Sequence, residues 1–335
     1  MESTMHLTNT SRRRLITRAA AAAVTIATPA LAQSRYPNRP ITLVVPFPPG
    51  GSVDIAARMV NDCLGKLLGQ PVVIDNRAGA GGSVGAAAVA RAAPDGYTLI
   101  VASQSTHVTN PVLQPKLPYD ALADFAPITL INRVANALVV HPSLPVKTLS
   151  EFVQYAKARP GKLDYGSPGI GSLSHLSMEY VKATLGVFLT HIPYRGGGPA
   201  LNDLLAGTVQ VMWDNYSPVL PHLQAGKLRG LAIASPQRAV QTPDVPTFAE
   251  LQLPLLNLSS WAGLAAPART PEPIIALLYE AMKSILSDPA NKDVWQAKGV
   301  LLPEALRPSE YAEEIRQRMA IYKGIVQANG IKLDS

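Results

Sequence analysis

Ile41-Thr42-Leu43-Val44-Val45-Pro46-Phe47-Pro48-Pro49-Gly50-Gly51-Ser52-Val53-Asp54 opens a pattern that runs to Ala102. Residues 41–45 are a short apolar run closed by Pro46, which reads as a buried parallel strand. Val53, Ala56, Ala57, Val60, Leu64, Leu67 and Leu68 then recur at helical spacing and give one apolar face. Residues 71–74 read as a second strand, the Ala-rich residues 83–92 as a helix, Pro94-Asp95-Gly96 as a turn and residues 97–102 as a third strand. This β-α-β-α-β order is the signature of a parallel sheet with helices on its faces.

Beyond two apolar runs at 127–131 and 137–140, a helix over 149–158 stops at Pro160-Gly161 and the pattern restarts. Strands are expected at 162–165, 189–192, 209–213 and 228–234, with helices at 173–185, 199–205 and 217–223. Residues 244–253 read as a turn plus a short helix, and 256–265 as extended. The tail reads as three helices, 272–287, 290–298 and 309–328. Tail helices without strands of their own need a sheet to cover, and the first unit has too few helices for both faces of its sheet. The chain is therefore expected to cross back near Ser260–Leu264 and lay its tail on the first unit. The expected fold is α/β with two lobes, each a mainly parallel sheet with flanking helices. Residues 33–136 plus 262–335 would form one lobe and 137–261 the other. Ligands of open α/β sheets bind beyond the carboxyl ends of the strands, which here face a cleft between the lobes.

The first 32 residues read as an address. Ser11-Arg12-Arg13-Arg14-Leu15-Ile16 is followed by an apolar run at 19–27 and by Ala30-Leu31-Ala32, the small residues a signal peptidase accepts. The paired arginines point to twin-arginine export, with general secretory export as the alternative. The apolar run is too short to span a bilayer, so the mature protein is expected in the periplasm. Of the +7 net charge, +3 lies in residues 1–32 and +4 in the rest. That mild surplus has no basic stripe and argues against a nucleic-acid partner. A single cysteine, Cys63, excludes a disulfide framework or a metal finger.

The loops at the strand ends carry the chemistry. Gly50 and Gly51 allow a tight turn and close backbone approach, and Ser52 is a candidate N-cap whose helix presents free amides to an anion. Asp54, in the first turn, either answers the helix dipole or ties the loop to its neighbour. Asp75-Asn76-Arg77-Ala78-Gly79-Ala80-Gly81-Gly82-Ser83 is glycine-rich, but its spacing fits neither a dinucleotide fingerprint nor a phosphate loop. Ser103-Gln104-Ser105-Thr106 offers hydroxyls and an amide, or else a capped helix start. Further loops are 165–175, Pro193-Tyr194-Arg195-Gly196-Gly197-Gly198 and Trp213-Asp214-Asn215-Tyr216. No Gly-x-Ser-x-Gly elbow and no His-Glu-x-x-His occurs. His175 and Glu179, four apart on an expected helix, read as a surface or cleft-edge pair rather than half a metal site. A binding protein without cofactor or metal is expected rather than an enzyme.

On these residues the chain resembles the Bug, or tripartite tricarboxylate transporter substrate-binding (TctC-like), family. The matching stretches are 40–58, 75–82, 93–99, 117–128, 141–149, 192–198, 228–235, 245–251 and 261–267, in that order and spacing. The resemblance implies a type II periplasmic-binding-protein fold. It also implies a small carboxylated ligand: a tricarboxylate, dicarboxylate, acidic amino acid or aromatic carboxylate. It points to Pro48, Gly51, Ser52, Asp54 and Ser103 on one lobe as ligand contacts. On the other lobe it points to Ser167, Gly171, His175, Tyr194 and Asp214. Ser172-Leu173-Ser174 and Pro48 depart from the common family pattern, Thr-Ser-Pro and Ala. The implied partners are membrane permease subunits of a tripartite transporter or, alternatively, a sensor kinase, with the receptor itself a monomer.

Overall fold

The computed structural model describes residues 36–114, 116–297, 300, 305–328 and 330, so the expected signal peptide lies outside the described residues. The chain divides into two compact units, residues 1–38 and 39–335, and every element below belongs to the second.

Two five-stranded sheets carry the fold. The first contains β1 (Ile41–Val45), β2 (Val72–Asn76), β3 (Thr98–Ser103), β4 (Phe125–Val134) and β10 (Ser260–Pro267), in the order β2-β1-β3-β10-β4. The second contains β5 (Asn136–Val140), β6 (Asp164–Ser167), β7 (Thr190–Pro193), β8 (Val211–Asn215) and β9 (Arg229–Ala234), in the order β7-β6-β8-β5-β9. The two orders repeat one plan. Three parallel strands come first, and the fourth strand, β10 or β5, pairs antiparallel to both its neighbours. Four of the five strands in each sheet therefore run in one direction.

The antiparallel strands are the ones that cross between lobes. β4 ends at Val134 and β5 starts at Asn136, so the first crossing is Ala135. The second crossing enters β10, where Ser260 pairs with Val134. Asn136 Nδ2 donates to the carbonyl of Leu258, tying the two crossings side by side. Both crossing strands thus begin where the parallel strands end.

The helices are α1 (Ser52–Leu68), α2 (Ser83–Ala90), α3 (Asn110–Leu113), α4 (Leu149–Lys157), α5 (Leu173–Leu185), α6 (Gly197–Leu205), α7 (Tyr216–Gln224), α8 (Glu272–Ser287), α9 (Pro289–Ala297) and α10 (Pro308–Ala328). Helix α1 buries Ala56, Ala57, Val60 and Leu64, four of the residues its periodicity selects, and ends at Gly69 in the left-handed region. Helix α8 packs on α1 and β4, and α10 packs on β4. Strand β10 is buried along its whole length. Its Gly263 admits the Tyr311 hydroxyl of α10, which would lie 2.1 Å from a Cβ there.

Three local expectations change. β2 continues through Asp75 and Asn76, which pair with Val44 and Val45. Ser105–Thr109 is a π-helical turn that leads into α3, rather than a plain helix start. Residues 244–253 hold turns and no helix. Thr247 and Glu250 do exchange the reciprocal bonds of a capping box. Pro254, lacking an N–H, opens a separate 3-10 turn instead of continuing a helix.

Candidate functional site

The carboxyl ends of β1, β3, β6 and β8 meet the starts of β5 and β10 around one cavity. Its lining includes Phe47, Gly51, Ser52 and Val53 after β1, and Ser103, Gln104 and Ser105 after β3. Ser260 and Trp261 open β10, Asn136 opens β5, and Trp213, Asp214 and Asn215 end β8. Pro168, Leu173, Ser174 and Gly197 complete the wall. About 550 Å³ is free of protein atoms, counting the mouth that opens to solvent. This is a narrow cleft between the two lobes.

Direct bonds hold it closed. Asn215 Nδ2 donates to Ser52 Oγ at 2.7 Å. Ser105 Oγ accepts the Leu173 amide at 3.1 Å, so a residue of one lobe satisfies the first N–H of α5 in the other, beside its own N-cap Ser172. Thr109 Oγ1 donates to the Gly171 carbonyl at 2.8 Å and Gln114 Nε2 to the Ile170 carbonyl at 3.3 Å. The π-helical turn of the first lobe thus receives the 169–173 loop of the second.

The start of α1 is built to present amides. The N-cap is Gly51 rather than Ser52, and no side chain caps the helix. The first helical bond runs from Ile55 N to Gly51 O, which leaves Ser52 N and Val53 N, at the cavity, without intrahelical acceptors. Gly50, at φ +86°, is the residue of this loop that needs to be glycine. Gly51 has an ordinary φ of −79°, and a Cβ there would meet nothing closer than Pro48 O at 3.8 Å.

Asp54 fastens this loop from behind. It accepts from Gly50 N at 3.0 Å, Arg58 Nε at 2.8 Å and Asn76 Nδ2 at 3.0 Å. Burial alone would raise its carboxyl, but the bonds from Arg58, Gly50 and Asn76 outweigh burial and hold it below the usual range.

Of the ten residues singled out in the sequence, Gly51, Ser52, Ser103 and Asp214 line the cavity. The other six do not. Pro48 stands at the rim, where its Cδ would lie 2.1 Å from a Cβ on Gly196. Asp54 holds the loop as described. Ser167 Oγ is 2.6 Å from His191 Nε2 and accepts the Gly169 amide at 3.2 Å. Gly171, at φ +83°, lies against Asn110 and Gln114 of the facing lobe. His175 accepts the Gly171 amide at 3.3 Å, and its ring stacks on His191 with 4.1 Å between centroids. It is buried rather than at the surface, while Glu179 is engaged by Tyr165 and Lys182. Tyr194 donates to Asp203 at 2.6 Å, and burial, reinforced by Asp203, pushes its hydroxyl up to about 12.

Asn136, Ser260 and Trp261 of the lining lie outside the loops that the sequence marks, whereas Ser174, Trp213 and Asn215 lie within them. The indole N–H groups of Trp213 and Trp261 are buried without an acceptor among the described residues, and Oδ1 of Asn215 is buried without a donor. Asp214 is 5% exposed, and its Oδ1 accepts from Asn215 N at 2.8 Å. Burial pushes its carboxyl up to about 7 against the opposing effect of the Asn215 amides. Among the described residues no group of side chains is arranged to hold a metal ion, and no helix is long and apolar enough to cross a membrane.

Two sheets of this topology hinged at paired crossings, with a cavity at the strand ends, define a two-lobed solute receptor. The sequence matches the tripartite tricarboxylate transporter family receptor profile over residues 56–331, and the chain belongs to that family. Protein BugT of Bordetella pertussis is 40% identical over 309 residues, covering 92% of this chain and 94% of BugT. The solved structure of MatC from Rhodopseudomonas palustris, with bound malate, is 37% identical with a TM-score of 0.83, covering 87% of this chain and 100% of MatC. A second R. palustris protein, solved with adipate, is 35% identical with a TM-score of 0.85, covering 89% of this chain and 99% of its own.

Proposed function

We propose that this chain is a periplasmic receptor that closes its two lobes on a small carboxylated molecule and delivers it to membrane permease subunits of a tripartite transporter. The moving bodies would be residues 33–136 plus 262–335 and residues 137–261. The observation that carries the reading is the uncapped start of α1 at the cavity. A helix start combines free N–H groups with a positive dipole end, and both favour an anion. The unsatisfied indole N–H groups of Trp213 and Trp261 add buried donors in the same wall. Relatives solved with malate and adipate support a carboxylate as the class of ligand. Gly51, Ser52 and Ser103 are the contacts we assign to the carboxylate, and Asp214 to the facing end of the ligand.

Lobes joined by two short crossings are free to move against each other. Small-angle scattering of the mature protein, titrated with a panel of di- and tricarboxylates and amino acids, should show a smaller radius of gyration with the member that binds. An unchanged profile at saturation would remove the closing-cleft mechanism.

A further inference from the structure

Among the described residues, Asp214 is the one ionisable side chain that lines the central cavity. It ends β8, is 5% exposed and takes part in no ion pair among the described residues. Its hydrogen-bonding neighbours are the neutral amides of Asn215. Gly197, at the start of α6, faces it closely enough that a Cβ there would lie 3.9 Å from Oδ2, so that helix end offsets part of the charge. Among the described residues no cationic side chain completes the compensation. On the other lobe, Ser52 and Val53 bring the positive end of α1 to the same cavity. The two walls are complementary to opposite charges.

We propose that the ligand is a zwitterion, whose carboxylate sits at the start of α1 and whose ammonium group pairs with Asp214 across the cleft. This rests on the carboxylate reading above and adds the group that the second lobe recognises. A purely anionic ligand would bring a second negative charge beside the buried Asp214 carboxylate, which favours protonation of one of the two. An ammonium group instead supplies the missing counter-charge through a charge-assisted hydrogen bond. It also makes closure depend on both ends of the molecule, since each lobe holds one. The burial that pushes Asp214 up to about 7 agrees with a carboxylate lacking its partner.

The test is a thermal-shift and tryptophan-fluorescence screen of the mature protein. The probes are amino acids, each matched with its 2-hydroxy and deamino acid; one such trio is aspartate, malate and succinate. The proposal expects the amino member of a binding trio to bind at least ten-fold tighter than both partners. Its affinity should fall as the pH drops below 7, because Asp214 must then lose a proton to pair. In Asp214→Asn the preference for the amino member should collapse. Equal or tighter binding of a deamino acid overturns the ammonium assignment while leaving the carboxylate reading in place. Equal binding of the hydroxy acid does the same, since Asp214 would then read a donor rather than a charge. Binding of amino compounds that lack a carboxylate would overturn the carboxylate reading. A preference for the amino acid that persists unchanged in Asp214→Asn would overturn the role given to this residue.

Discussion

Gly196→Ala is expected to weaken ligand binding on the order of 100-fold while the protein remains folded. At Gly196 the added Cβ would lie 2.1 Å from Cδ and 2.5 Å from Cγ of Pro48, far inside carbon–carbon contact. Pro48 and Gly196 belong to opposite lobes, so the clash is relieved by holding the cleft ajar. A receptor whose closed state is made rarer loses affinity in proportion to the lost fraction. A closed-state penalty of about 3 kcal/mol corresponds to roughly two decades. The φ of +137° with ψ 170° also disfavours a side chain, and that strain would persist when the facing Pro48 is trimmed, which separates it from the clash. The decisive partner is Pro48→Ala. It removes Cγ and Cδ and leaves Cβ at an ordinary 3.6 Å, so the double variant should recover most of the affinity. Fluorescence titration of the four proteins checks this. No rescue would mean that the loss is local strain at residue 196 and not a wedge between lobes.

Asp214→Asn should make the ligand-free protein more stable above pH 7, by up to an order of 4 kcal/mol. The folded carboxyl is pushed up to about 7 from its ordinary 3.8, chiefly by burial. The folded state therefore binds this proton more tightly than the unfolded chain does. That contribution is fully present below about pH 3.8 and is lost as the pH rises through about 7. The asparagine variant has no such loss, so the two proteins should converge near pH 4 and diverge toward pH 8. Denaturant unfolding of the ligand-free proteins across that range measures the difference. A variant that is less stable than the wild type at pH 8 would show that Asp214 is well compensated as an anion.

The strands and the glycine-rich loop after β1 are legible because their signals are local. Residues 41–45 are apolar and closed by proline, and the face of α1 is fixed by seven residues at helical spacing. The N-cap is harder to read. Serine is a good cap by type, yet Gly51 takes the place and Ser52 turns its hydroxyl to Asn215 of the facing lobe. Three of the seventeen lining residues lie outside the loops that the sequence marks. Asn136, Ser260 and Trp261 reach it because β5 and β10 start at the crossings, and a crossing is a tertiary event. A buried-strand pattern led by a polar residue, as in Asn136 and Ser260, is the one signal that points there. Ser167, His175 and Tyr194 show the converse. Their hydroxyl and ring groups read as ligand contacts, and in the structure Ser167 Oγ, His175 Nδ1 and Tyr194 Oη bond to His191, Gly171 and Asp203 outside the lining. The family pattern marks these loops without distinguishing the atoms that face the cavity from those that shape its wall.

Two of the three tryptophans, Trp213 and Trp261, line the cavity, so their emission reports its occupancy. The most direct measurement is a paired titration of the mature protein, followed by tryptophan fluorescence and thermal unfolding. It uses the organic or amino acid that binds and the same molecule with its carboxylate converted to the amide. The α1 start should hold the acid through charge, so ligand at about 100 times its dissociation constant should stabilise the protein by about 2.7 kcal/mol. The amide should retain little of that gain. Equal stabilisation by acid and amide would contradict the account, because the cavity would then recognise something other than a carboxylate.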